Sequence, residues 1–375
     1  MAQFEKHRGT KKKQWAVILF FLTALFLADH GLAEDQKKVN GIYLPPVLSR
    51  SRIDKAVYYA NLANLNAFVL HVKDPLGQIY WQSENPIARK IGAVQSRGRL
   101  ERVVKQLKRE GIRTIAKVDV FQDSLLAKSF PRMGVQDIQS GSLWADRKGL
   151  HWVNPYDREV WDYNIALCKE LIAMGFEEVQ FDYTRFPSDG KLRHARYPVV
   201  LEGISKARCI GEFLKFARAE LKPMGAVLSI DVFGLTAWLK EDFGVGQVLE
   251  VIAPHVDVIC PMLYPSHFPP GFMGWKKPGD YPGQVVEMSM KRIKARTKKD
   301  VRPWVQGFWY TTEEIIAQIE AVLGSGTSSW TVWNPSGRYK DTYSALTKLF
   351  DLDPSEKESL TGARKEKVGE KASGA

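Results

Sequence analysis

Three cysteines, Cys168, Cys209 and Cys260, are all that 375 residues provide. No two are close enough for a CxxC or zinc-ribbon spacing, which excludes a thiol redox motif and a structural zinc. An odd count does not support a disulfide framework, and the flanking residues mark all three as small buried hydrophobes. Histidine is also sparse, with seven copies and none at ligand spacing, so no metal and no cofactor is expected. No glycine-rich turn follows the first apolar strand, which argues against a dinucleotide-binding open sheet. Helix-turn-helix, zinc-finger and ribonucleoprotein signatures are all missing, so nucleic acid is not an expected partner. The formal charge is nevertheless +12. An excess of that sign suits solubility first, and also anionic surroundings such as wall polymers or phospholipid headgroups.

Nor does the chain hold a long apolar run. The uncharged apolar stretch at residues 15–28 falls short of the roughly 20 apolar residues of a spanning helix. It follows Lys11-Lys12-Lys13 and ends at Gly31-Leu32-Ala33. A basic head, a short apolar core and a small-x-small end describe a signal peptide over residues 1–33. Retention of that segment would give membrane attachment instead. Either outcome places the remainder outside the cytoplasm: secreted, periplasmic or anchored at the cell envelope.

What is abundant is apolar and aromatic: 45% hydrophobic residues and 11 Trp, ample for a large core. Past residue 38, apolar runs alternate with helical periodicity. Strands are expected at 39–46, 67–74, 113–121, at the start of 178–187, and at 226–234, 256–264, 301–308 and 329–334. Helices are expected at 52–63, 100–110, 158–174, 204–221, 246–252, 284–295, 312–323 and 341–350. Gly111 and Gly175 close two of them, Asp157 caps one, and Thr311 or Thr312 caps another. Eight strands alternating with helices predict an α/β chain folded as one (β/α)8 TIM barrel over 39–350. The charged tail at 354–375 is expected to be disordered. Residues 122–155 form a long irregular connection of the kind that serves as a lid or binding loop.

The chain is organised around EVQFDYTRFP, Glu178 to Pro187. An apolar strand there delivers Asp182, Tyr183, Arg185 and Phe186 within five positions. Other strands end in Asp74, Asp119, Asp231, Tyr264, and Trp333 with Asn334. In a parallel barrel all of these ends gather at one mouth. Asp182 and Asp231 lie on consecutive strands, which run about 4.8 Å apart. Two carboxylates so close cannot both ionise cheaply, so one keeps its proton and the other its charge. Glycosidic cleavage needs that division: an acid for the leaving oxygen and a carboxylate for the oxocarbenium centre. Asp182 and Asp231 are therefore the catalytic candidates. Arg185 is expected to pair with Asp182. Substrate-binding roles are assigned to Asp74, Asp119, Arg185, Tyr264, Trp333 and Asn334. His71 reads as a satisfied core histidine. A polysaccharide or oligosaccharide is the expected partner; oligomeric state is not legible. The alternative is a non-catalytic carbohydrate-binding envelope protein using the same mouth.

Seven segments carry a resemblance to a known family: HVKDPLGQIYW, IAKVDVFQDSLLA, LWADRKGLHWVNPYDREVWDYN, EVQFDYTRFPSDG, SIDVFGLTAW, PMLYPSHF and WTVWNPSGRY. Over 39–339 the chain resembles a bacterial extracytoplasmic family, first catalogued as a domain of unknown function and predicted to be glycosyl hydrolases. That resemblance implies a barrel and glycoside hydrolysis. More distantly the layout is similar to chitinase-type and amylase-type barrels. Asp182 would match the last aspartate of the chitinase-type fourth strand, and Met262-Leu263-Tyr264 the sixth-strand motif. The chitinase-type acid two residues further on is here Thr184. Asp182 and Asp231 fit the amylase-type plan in position, but Arg185 follows the aspartate instead of preceding it, and the strand-five acid is Asp where Glu is usual.

Overall fold

The computed structural model describes residues 38–46, 50–63, 65–95 and 99–350. The expected signal peptide at 1–33 and the expected disordered tail at 354–375 lie outside them. Eight parallel strands form the barrel: β1 (Asn40–Leu44), β2 (Ala67–Lys73), β3 (Arg113–Asp119), β4 (Glu178–Asp182), β5 (Val227–Phe233), β6 (Val258–Leu263), β7 (Trp304–Gln306) and β8 (Trp330–Trp333). Each pairs with the next, β8 pairs with β1, and the sheet closes on itself. Closure leaves no unpaired edge. Among the described residues a main helix lies in each of the seven connections, α1 (Arg50–Leu62), α2 (Arg99–Arg109), α3 (Arg158–Met174), α4 (Lys206–Leu221), α5 (Leu249–Ile252), α6 (Pro282–Arg296) and α7 (Thr312–Gly324), and α8 (Lys340–Leu349) follows β8.

The helix ends follow local chemistry. Asp157 caps α3 by accepting from Glu159 N, and Gly175 at φ 111° ends it. Thr311 is the cap of α7, in a reciprocal capping box with Glu314. Cys168 and Cys209 lie in α3 and α4, Cys260 lies in β6, and all three are free and buried. Among the described residues no helix is long and apolar enough to cross a membrane.

Strand β7 is shorter than its apolar run. Pro303 has no N–H for the ladder, and the expected strand over 301–308 divides into Asp300–Val301 and β7. Arg302, at the break, points into the lumen. Its guanidinium binds Glu178 through both Nη atoms, with Nη1 3.1 Å from Oε2, and also reaches Gln180 Oε1 at 3.2 Å. Ser229 Oγ donates to Glu178 at 2.5 Å. Burial alone would raise the Glu178 pKa, but Arg302 outweighs it and the net direction is down. The floor of the barrel is thus a closed ionic layer, an unusual filling for an interior normally built from branched aliphatic side chains.

A second irregularity lies between β2 and β3, where the register slips between His71 and Lys73. The slip sets Lys73 beside Val118 instead of Asp119. Lys73 Nζ donates to Asp119 O at 2.6 Å and pairs with Asp123 at 2.9 Å.

The connection after β3, expected to be irregular, has its own order. It holds a short helix (Ser124–Ser129), a helical turn (Pro131–Met133), and a strand segment Gln136–Asp137 that pairs antiparallel with Ala195–Arg196 from the connection after β4. Asp146 organises its tip, accepting from Gln122 Nε2 at 2.6 Å and from the backbone of Lys148 and Leu150.

The ionic floor yields a stability prediction. Arg302→Met alone leaves the buried Glu178 charge with only the half-buried Arg113, whose Nη2 lies 3.3 Å from Oε2, and should cost about 3–5 kcal/mol in urea unfolding. The double variant Arg302→Met/Glu178→Leu should regain most of that loss, since it removes the buried carboxylate with its main partner and leaves only Arg113, which reaches solvent.

Candidate active site

Asp119, Asp182 and Asp231 stand at one level of the barrel. Asp119 is directly opposite Asp182, and Phe181 is opposite Ile230, which sets Asp182 beside Asp231. All three are at or near the C-terminal ends of adjacent strands, so alternation points their side chains to the same lumen. The sequence-expected convergence of acids is therefore present, widened to three.

One cation serves this group. Lys117, two residues before Asp119 on β3, shares its face. Its Nζ lies 2.6 Å from Asp119 Oδ1 and 2.6 Å from Asp182 Oδ2. Burial alone would lower the Lys117 pKa, but the surrounding carboxylates of Asp119, Asp182 and Asp231 hold it well above its usual value. Asp119 also receives His71 Nε2 at 3.1 Å, while His71 Nδ1 meets the Tyr43 hydroxyl at 3.0 Å. Burial acts to raise the Asp119 pKa, but Lys117 and then His71 oppose it, and the carboxyl is held down at about 2. His71 is thus a satisfied histidine, and what satisfies it is Asp119 and Tyr43.

Asp182 also accepts at Oδ1 from its neighbour's N–H, Tyr183 N, at 2.7 Å. Tyr183 adopts φ 49°, a left-handed conformation that a bulky residue rarely holds without a local reason. The turn aims that N–H back at the carboxylate.

Asp231 is placed differently. It is 1% exposed, and its Oδ1 takes both Gln180 Nε2 at 2.5 Å and the Trp304 indole N–H at 2.6 Å. No cation pairs with it among the described residues. Burial, and next the Asp182 charge, raise its pKa to about 8, against the opposing pull of Lys117, Trp304 and Gln180. At neutral pH Asp231 holds a proton, and Oδ2 is the oxygen left to carry it.

Aromatic rings wall the mouth. Trp333 stacks on Tyr264 at 5.0 Å and 27°, and meets Tyr43 and Phe308 edge-on. Both expected aromatics, Tyr264 and Trp333, therefore stand at the site, and burial raises the Tyr264 pKa well above its usual value.

The expected pairing of Arg185 with Asp182 is corrected: Lys117 takes that place. Past the Tyr183 turn, the Arg185 guanidinium is sandwiched among the rings of Trp152, Tyr183 and Phe233 at 4.7–5.0 Å. It donates to Phe186 O and Ser188 Oγ.

Two further candidates are occupied elsewhere. Asp74 accepts from Leu76 N, Gln78 N and the Tyr80 hydroxyl inside its own turn. Asn334 donates to Gly307 O and Arg338 O and accepts from Ser336. Both side chains shape loops.

Lys117, Gln180 and Trp304 were not singled out from sequence. The signal was available: a lysine inside the apolar run RTIAKVDVF, two positions from an acid, is too costly to bury without a carboxylate partner. Among the described residues, no three His, Cys, Asp or Glu side chains are grouped to hold a metal ion. A groove of about 840 Å³ between α1 and α8 is lined by none of the three carboxylates.

The buried proton on Asp231 has a stability consequence. Its folded pKa of about 8 lies above the ordinary 3.8, so its stabilising contribution is complete below the unfolded value and is lost as pH rises through the folded one. Asp231→Asn escapes that loss. Its gain in melting temperature over the wild-type chain should grow from pH 4 to pH 8; a gain that is flat or shrinking across that range would contradict the protonated carboxyl.

No curated protein matches the chain. Among solved structures it is similar to the glycoside hydrolase domain of PgaB (BpsB) from Bordetella bronchiseptica, at 14% identity over 84% of this chain and 99% of that one, with TM-score 0.62. It is similar to a GH20 exo-β-N-acetylglucosaminidase from Vibrio harveyi, at 13% identity over 87% and 57% of the two chains, with TM-score 0.54. The spore cortex-lytic enzyme SleL of Bacillus cereus aligns at 11% identity over 83% and 74%, with TM-score 0.51. At these identities the likeness is one of fold, the barrel. A family model gives the family: residues 41–339 match the one described as "Putative glycosyl hydrolase domain", and the chain belongs to that family.

Proposed function

We propose that this chain hydrolyses O-glycosidic bonds of a cell-wall or extracellular polysaccharide at the barrel mouth. The observation that carries the reading is the division of labour between two neighbouring carboxyls: Asp231 buried and holding a proton, Asp182 beside it and paired with an ammonium.

Each group has a chemical role. Asp231 donates its proton to the leaving glycosidic oxygen as the C–O bond breaks. Asp182 meets the positive charge that develops at the anomeric carbon, by attack or by electrostatics. Water then adds to that carbon, its proton returns to Asp231, and the starting state is restored. Lys117 orients Asp182 and, by engaging Asp119 and Asp182 together, leaves Asp231 as the acid without a cation. Tyr264 and Trp333 offer faces against which a sugar ring packs. Thr184 is buried, with its hydroxyl 3.5 Å from Asp182 O. It supplies no second acid on β4, so the substrate-assisted chitinase-type course is not the one proposed. The basic, apolar N-terminal run suits an exported protein of the cell envelope.

Asp182→Asn and Asp231→Asn should each lower hydrolysis of a responsive polysaccharide by at least about a hundredfold, the scale of losing a general acid. Undiminished release of reducing ends by both variants would overturn the assignment. Binding of the same polysaccharide by the wild-type chain with no release of reducing ends would favour the non-catalytic alternative. The alkaline limb of the rate profile should follow Asp231. Trp304→Phe removes a hydrogen bond that lowers that pKa, so it should move the limb to higher pH.

A further inference from the structure

Trp309 is 82% exposed. An indole so fully in water is unusual, because Trp is highly buried on average. Its backbone compounds the oddity, with φ at 62°, where a bulky side chain is a steric outlier. The strain is held from both sides. Before it, Gly307 N donates to Trp333 O, and a Cβ at Gly307 would meet Val332 Cγ1 at 2.5 Å. After it, the Tyr310 hydroxyl donates to Gly279 O at 2.8 Å, and Thr311 opens the capping box of α7. The loop is fixed, and it spends backbone strain to hold an apolar ring in solvent.

The position of that ring supplies a reason. Phe308 lies edge-on to Trp309 at 4.9 Å and edge-on to Trp333 at 5.2 Å, and Trp333 meets Tyr43 at 6.4 Å. Exposure rises along the row, from buried Tyr43 through half-buried Trp333 and Phe308 to Trp309. Tyr43 is also hydrogen-bonded to His71 of the carboxylate network. An aromatic path therefore leads from the catalytic lumen to the outer rim.

We propose that Trp309 is an outer sugar-binding platform, holding a pyranose of the polymer beyond the residues that occupy the mouth. This rests on the reading of the mouth as a glycan site and extends it to chain length. The apolar face of a pyranose is the ligand that fits: it stacks on a flat exposed ring while its hydroxyls stay in water. The platform would select long substrates over short ones, because only a long chain reaches both Trp309 and the carboxylates.

The full chain, its Asp182→Asn/Asp231→Asn form, and Trp309→Ala and Trp309→Phe in each background test this. Affinities are measured for chito-, cello- and xylo-oligosaccharides of two to six sugars and for isolated peptidoglycan. Trp309→Ala should weaken binding of the longest responsive ligand about tenfold, the scale of one aromatic contact. It should leave disaccharide binding unchanged, and Trp309→Phe should restore most of the loss. Where turnover is measurable, KM for the long substrate should rise with kcat unchanged. Equal affinity of Trp309→Ala and the parent at every length would overturn the platform, as would an equal loss at all lengths or a parent chain that binds no member of the panel. The two readings fail separately. Length-selective, Trp309-dependent binding without any hydrolysis would sustain the platform and remove the hydrolase, and hydrolysis indifferent to Trp309 would do the reverse.

Discussion

One ammonium stands between two carboxylates, and the site depends on that count. Lys117 engages Asp119 and Asp182 at equal distance, and a third acid, Asp231, shares the level without a cation of its own. Were all three acids ionised, the buried group would carry two uncompensated negative charges less whatever His71 supplies. A low-dielectric interior resists that arrangement by neutralising the group that is easiest to protonate. Asp231, buried and next to the Asp182 charge, is that group. The difference between two chemically identical side chains thus comes from which one the lysine reaches.

The lumen below the site is organised on the same terms. Glu178 with Arg302 and Arg113 forms an ionic floor, and Gln180 joins the floor to the level of the three aspartates by accepting from Arg302 and donating to Asp231. Gln180 lies between Glu178 and Asp182 on β4, so a single strand contributes a side chain to each of three stacked layers. Buried hydrogen-bond networks of this kind resist small displacements because each member holds its neighbours in place. Asp231 and Asp182 are accordingly held from beneath, by packed and paired groups, and need no ligand to bring them together.

Much of this was legible in the sequence because it follows from periodicity. Alternation of apolar strands with amphipathic helices gives the barrel, and the barrel gives the convergence of Asp119, Asp182 and Asp231. Tyr264 and Trp333 follow from their places at strand ends. The misreadings arise where side-chain direction is set by something local. Arg185 follows Asp182 by three residues and looked like its partner, but the left-handed turn at Tyr183 redirects the chain and the rings of Trp152 and Phe233 capture the guanidinium. Asp74 and Asn334 stand at strand ends too, yet short turns consume their polar atoms. The break in β7 was foreshadowed by Pro303. The role of Lys117 required treating a lysine inside a buried strand as an unpaid electrostatic cost in search of a partner.

The ribbon formed by Gln136–Asp137 and Ala195–Arg196 has an implication for remodelling this scaffold. It stitches the connections after β3 and β4 into one unit, reinforced where Asn154 Nδ2 reaches Val199 O and where the Trp144 indole donates to Lys191 O. Transplanting either connection alone from a cousin would tear a seam and leave half a ribbon unmated. Exchanging the two together, as a cassette, keeps the stitching intact and is the route by which a new specificity could be grafted onto this frame.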